Sequence, residues 1–207
     1  MNTTVYIDGF NLYYGSLKNT PFKWLDLNEL CRLLLPKHQI NKIKYFTAFV
    51  KSRPNDLNMP IRQQMYLRAL RTLPNIEIIA GHFLTQEVNM PVAGCNPKSQ
   101  RYVKVIKTEE KGSDVNLATH LLSDGYKGKI DVAVLITNDS DLVGPVKIVR
   151  NELKLAVGVI NPHKKPSRIL IQQASFVKQI RKGVLSKSQF PRTLKDSKGT
   201  FHKPSKW

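Results

Sequence analysis

The stretch IDVAVLITNDSDLVGPVKIVRN, Ile130 to Asn151, decides how the rest of the chain is read. Ile130 to Thr137 form an apolar run, short and rich in Val and Ile, as expected of a strand whose two faces are both covered by helices. Asn138 to Asp141 follow it directly, and Leu142 to Asn151 carry helical spacing. A buried strand that ends in acids and passes into a helix is a unit of an open parallel sheet. In such sheets ligands sit outside the carboxyl ends of the strands, near the point where strand order reverses.

Working outward, the same alternation recurs on both sides. Val5 to Ile7 form a β-prone run that stops at Asp8-Gly9. Asp26 can cap a helix through Leu27, Leu30, Leu33 and Leu34, with Pro36 as its stop. Ile43–Val50 reads as a strand, Met59–Leu73 as an amphipathic helix and Asn75–Ala80 as a strand. Gly81, Pro91, Gly94 and Pro97 then break the rhythm, so residues 81 to 110 read as an inserted hairpin or lid. Ser113 is a good N-cap for a helix ending at Gly125, which places Asp114 at its start. Leu155–Ile160 is expected as a strand and Arg168–Ile180 as a closing amphipathic helix. Strands alternating with helices imply a mainly parallel sheet with right-handed crossovers. The expected units are one domain over residues 1–182 and a tail over 183–207.

Composition limits what such a domain does. The 207 residues carry 33 Lys and Arg against 15 Asp and Glu, a net charge of +18, which favours a polyanionic partner. Hydrophobic residues at 41% and charged residues at 23% exclude both a disordered polyelectrolyte and a membrane protein. Neither Cys31 nor Cys95 belongs to a pattern with zinc-ligand spacing, so a reducing compartment is expected. The MNTTVYIDGF start places an aspartate too early for a signal peptide, and the expected location is cytoplasmic.

Within this basic chain, Asp8, Asp139 and Asp141 fall at strand ends and Asp114 at a helix start. Four crowded carboxylates repel unless a cation lies among them, and hard oxygen donors suit Mg²⁺ or Mn²⁺. Taken singly, each has an ordinary role: Asp8 can open a turn, Asp114 can face a helix dipole, and one of Asp139 and Asp141 can be only a cap. Together they support phosphodiester hydrolysis, with water as nucleophile and metal charge stabilising the transition state. No G-x-S-x-G elbow or P-loop glycine pattern occurs. Phe10 stands where an aspartyl-nucleophile phosphatase needs a second acid. His120 reads as a surface residue on the polar side of its helix.

Three motifs in order, VYIDGFNLYYG from Val5, KGSDVNLATHLL from Lys111 and VLITNDSDLVGPVKIV from Val134, resemble the NYN domain branch of the PIN-like ribonucleases. The resemblance runs from about residue 4 to 180. It implies a three-layer α/β/α sandwich and a metal-dependent ribonuclease, an endonuclease by expectation. It maps Asp8, Asp114, Asp139 and Asp141 to the metal-binding acids and Asn11 to the asparagine after the first strand. RNA rather than DNA rests on this resemblance; the alternative is an RNA-binding module of the same fold with a weak or unused metal site.

Basic residues suited to RNA phosphates recur as Lys98, Arg101, Lys104, Lys107 and Lys111 in the insertion, and as His163, Lys164, Lys165 and Arg168 after the strand ending at Ile160. Tyr13, Tyr14 and Tyr102 are candidates to stack on unpaired bases, and Phe83 is expected in the core. The tail holds six basic residues against Asp196, so the expectation is a flexible phosphate-tracking arm. The rival is that Phe190, Leu194, Phe201 and Trp207 dock it on the domain or on a second subunit, and a homo-oligomer stays open.

Overall fold

A computed structural model describes residues 2–52, 54–94, 101–205 and 207. Cys95 and Lys98 lie outside the described residues.

Seven strands form one sheet. In chain order they are β1 (Asn2–Asp8), β2 (Gln39–Ala48), β3 (Ile76–Pro91), β4 (Tyr102–Lys111), β5 (Val132–Ile136), β6 (Ala156–Asn161) and β7 (Phe176–Gln179). Their spatial order is β4-β3-β2-β1-β5-β6-β7. All pair in parallel except β3 with β4. The order reverses between β1 and β5, so the carboxyl ends of those neighbours open the crevice where α/β sheets place ligands.

Strand alternation sorts the core into two layers. Val5 and Ile7 of β1, with Val132, Val134 and Ile136 of β5, face helices α1 (Gly9–Leu12), α2 (Leu27–Leu34) and α3 (Met59–Leu70). Tyr6, Ala133 and Leu135 face α4 (Ser113–Tyr126), α5 (Val143–Asn151) and α6 (Arg168–Gln172) on the other side. This is the three-layer α/β/α sandwich that the sequence predicts. Asp26 caps α2, its Oδ1 accepting from the backbone of Asn28 at 2.9 Å and Glu29 at 3.0 Å. On the α4 side, buried Asp124 Oδ2 accepts from the Tyr6 hydroxyl at 2.8 Å and from Lys44 Nζ at 2.5 Å. His120 is half-buried here, its ring 5.6 Å from Phe46 and its Nδ1 3.1 Å from Lys44 Nζ. The expected surface histidine is therefore packed between helix and sheet.

Three further expectations about elements are corrected. The strand from Asn75 does not stop at Ala80: β3 continues through Gly81 and pairs with β4 as a long hairpin from His82↔Lys111 to Pro91↔Tyr102. The N-cap of α4 is Gly112, not Ser113. The chain reverses there in one residue at φ +98°, a left-handed conformation that glycine adopts without strain. The closing helix ends at Gln172, and residues 176–179 form β7 instead, because the free edge of β6 offers a ladder of backbone hydrogen bonds.

The tail is not a flexible arm. Residues 182–187 form α7 (Lys182–Lys187), followed by the hairpin β8 (Thr193–Asp196) and β9 (Gly199–His202). Phe190 and Phe201 are buried, and Trp207 packs with ring centroids 6.0 Å from Trp24 and 5.7 Å from Tyr66. Arg68 of α3 makes a two-pronged ion pair with Asp196 and lies 4.2 Å from the Phe201 ring centroid. The tail's apolar residues follow no period because they join one core cluster, Phe190 and Trp207 both packing on Trp24, from an irregular path rather than from one helix or strand face.

Candidate metal centre

Asp8 ends β1, Asp139 follows β5 and Asp114 begins α4. Their carboxylates bring one oxygen each within 4.8 Å of one another. Asp8 is buried; its Oδ1 accepts from the Asn11 backbone at 2.9 Å and its Oδ2 from the Thr137 hydroxyl at 3.1 Å. Thr137 Oγ1 in turn accepts from the Asp139 backbone at 3.1 Å, so one hydroxyl joins two of the acids. Asp139 Oδ1 accepts from the Asp141 backbone at 3.0 Å.

Crowding shows in proton affinity. Burial raises the Asp8 carboxyl above its ordinary value, against the pull of its hydrogen bonds. Asp114 is pushed up to about 6, first by burial and then by the charges of Asp8, Asp139, Glu110 and Asp141. Three oxygen donors held at this spacing fit a hard divalent cation, and their mutual repulsion is the penalty such an ion relieves.

Of the residues singled out in the sequence, Asp141 stands outside this group. It is exposed, and it touches the site through its backbone donation to Asp139. Asn11 acts as a brace: its Oδ1 accepts from the Asn138 backbone at 2.9 Å. Lys104, Lys107 and Lys111 are engaged, Lys104 with Glu87 at 2.5 Å and the other two with Glu109 at 2.5 and 3.2 Å. Thr108 and Glu110 line the cleft beside the acids, so strand alternation turns Lys107 and Lys111 to the opposite face of the hairpin. Lys164, Lys165 and Arg168 are exposed and make no ion pair among the described residues.

Three residues to which the sequence reading gave no role organise the site. Thr137 bridges two acids. Asn138 accepts from the Ser167 backbone at 2.6 Å and donates to the Lys165 carbonyl at 3.1 Å, clamping the basic loop beside Asp139. Glu110 Oε1 accepts from the Ser113 backbone and hydroxyl at 3.1 and 2.7 Å, which supplies the cap that Gly112 lacks and steadies Asp114.

The NYN domain model matches residues 2–180. The chain belongs to the NYN domain family. That nuclease-like membership covers the sheet and its acids, while the NYN match ends before α7. A curated relative, 6-hydroxy-3-succinoylpyridine 3-monooxygenase HspA of Pseudomonas putida, is 33% identical over 236 aligned positions, spanning all of this chain and 75% of that protein. A crystal structure of a protein of unknown function, VPA0982 from Vibrio parahaemolyticus, is similar to this NYN chain in fold. Its TM-score is 0.57 at 17% identity, covering 87% of this chain and 93% of that one. No helix among the described residues is long and apolar enough to cross a membrane.

Proposed function

We propose that this NYN chain is a divalent-metal-dependent ribonuclease that hydrolyses phosphodiester bonds, with Mg²⁺ or Mn²⁺ held by Asp8, Asp114 and Asp139. The observation that carries this reading is the meeting of three carboxylates at the β1/β5 reversal of a chain with net charge +18. The ion would supply electrostatic stabilisation of charge developing on the phosphate and lower the pKa of attacking water.

The chain's own residues do the rest. Thr137 and the Asn11 backbone orient Asp8 and offset part of the cost of its burial. Asn138 fixes the loop bearing Lys164 and Lys165, whose charges draw phosphates toward a centre that acids alone would repel. Asp141 lies close enough to add negative charge at Asp114, and we assign it an outer position. We assign the chain to the cytoplasm, a setting that suits the buried free thiol of Cys31. The test is cleavage of RNA by purified protein with Mg²⁺ or Mn²⁺, with EDTA and Asp8→Asn as parallel arms. Cleavage that persists in both arms overturns the assignment.

A second reading follows from the Pseudomonas putida relative, whose identity extends through the segment beyond the NYN match. In that reading the cleft holds a small heteroaromatic ring for hydroxylation. Oxygen uptake with 6-hydroxy-3-succinoylpyridine and a reductant, unaccompanied by RNA cleavage, selects it. RNA binding without cleavage under any metal selects a binding module.

A further inference from the structure

The hairpin of β3 and β4 reaches beyond the body of the sheet. β3 pairs with β2 over Ile76 to Gly81 and with β4 over His82 to Pro91, so along the hairpin each strand has one partner among the described residues. The ribbon is about 30 Å long. A two-stranded hairpin is marginally stable by itself and gains stability from further strands or a covered face. We propose that this ribbon is a dimerisation arm: β4 pairs antiparallel with β4 of a second copy about a two-fold axis at Lys107, which joins two hairpins into one four-stranded sheet.

The ribbon's surface differs from the rest of the chain. Ile106 is 74% exposed, Tyr102 59%, and Leu84 and Met90 42% each. The paired strands, residues 82–91 and 102–111, carry Lys104, Lys107 and Lys111 against Glu87, Glu109 and Glu110. They have no net charge in a chain of +18. A polyanion gains little from such a surface, whereas two strongly basic chains can meet there without the repulsion that their other faces impose. Apolar exposure and local charge balance together select a second copy as the occupant.

Edge strands of monomers are commonly blunted with lysine. The lysines of β4 would serve that end if they stood alone, but Glu109 and Glu110 lie among them and make the edge self-complementary. A two-fold axis perpendicular to the sheet keeps every residue on its own face, so residues of one face meet residues of the same face. With the axis at Lys107, Lys104 stands opposite Glu110 of the other copy and Ile106 opposite Thr108, while the two Ile106 side chains are diagonal neighbours. On the opposite face Lys107 of each copy is a diagonal neighbour of Glu109 in the other, so glutamates flank the two lysines at the axis. Within one chain Lys104 holds Glu87 and Lys107 holds Glu109, both at 2.5 Å. Pairing links these ion pairs into a network across the axis. The outer edge of β3 offers no equivalent, since Glu87 is its sole Asp, Glu, Lys or Arg along the ribbon and self-pairing there gains no ion pair.

The experiment measures the mass of the full chain by sedimentation equilibrium over a concentration series. Wild type is expected to approach the mass of two chains. Ile106→Lys, at a side chain that one chain alone leaves exposed, and Lys107→Glu should each weaken association at least about tenfold, because two-fold symmetry loses every contact twice. Circular dichroism should show each variant folded. Glu109→Lys should weaken association likewise, and mixing the Lys107→Glu and Glu109→Lys chains should restore the dimer, since unlike charges then meet across the axis. A single-chain mass at every wild-type concentration overturns the proposal, as do a dimer that these substitutions leave intact and a mixture that stays monomeric. A monomeric wild type whose RNA affinity falls with Ile106→Lys assigns the ribbon to nucleic acid instead. Association needs none of the carboxylates, so RNA left uncut by wild type counts against the ribonuclease reading alone.

Discussion

The side-chain oxygen of Asn11 accepts the backbone N–H of Asn138 at 2.9 Å, tying the turn after β1 to the turn after β5. Because Asp8 and Asp139 sit on those two turns, this hydrogen bond sets the distance between them. Asn11→Ala should lower metal-dependent cleavage by about tenfold and cost about 1 kcal/mol of stability. Rate measurements beside thermal melts check it, and a variant with unchanged rate would remove Asn11 from the site.

Asp8→Asn and Asp139→Asn each take a charge from the crowded centre. Cleavage should fall at least about a hundredfold, while the metal-free protein melts at the same temperature or higher because repulsion is relieved. Wild type should also gain about 2.7 kcal/mol with metal at 100 times its dissociation constant, a gain both variants lose. Melting curves with and without Mn²⁺ read this directly.

Stability of the metal-free protein should depend on pH through Asp114. Its folded-state pKa of about 6 exceeds the unfolded value of about 3.9, so between those pH values the folded state binds more protons. Stability therefore rises as pH falls from 7 toward 4 and declines as pH rises through 6. Asp114→Asn should flatten this part of the profile, as should bound metal. An identical slope in variant and wild type would sink the assignment.

The basic residues should divide by position. Lys164→Glu with Lys165→Glu should weaken RNA binding and lower the slope of log affinity against log salt by roughly 0.7–0.9 for each phosphate no longer neutralised. Lys107→Glu should change little, since that side chain is paired with Glu109 on the far face of the hairpin. Titrations at several salt concentrations separate the two.

The docked tail should contribute to folding. Phe201→Ala, at a side chain 3% exposed, should cost roughly 3–5 kcal/mol. Arg68→Ala should lower the melting temperature by releasing Asp196 and uncovering Phe201. Truncation after Gly183 should lower it further, whereas a free arm would leave it unchanged.

The acids at strand ends are legible because strand termini announce themselves locally: an apolar run stops and a carboxylate follows, as at Ile7-Asp8. Asp114 is legible as a helix start even though Ser113 is not the cap, since Glu110 closes α4 from three residues before Ser113. Thr137 and Asn138 give no such sign. Their roles depend on hydrogen bonds to residues 129 and 29 positions away, and neighbouring sequence carries no record of those partners.

The division between the two levels of information is physical. Apolar periodicity and turn chemistry act between near neighbours, so the sequence by itself determined the alternating strands and helices, the acids at the carboxyl edge and the basic surface around them. Tertiary packing alone decided that residues 176–179 pair with β6, that Asp141 lies outside the carboxylate group, and that Phe190, Phe201 and Trp207 seat the tail against the body. Each depends on an arrangement that exists only after distant elements have assembled: a free strand edge, carboxylate oxygens brought within 4.8 Å of one another, and an apolar surface around Trp24 and Tyr66.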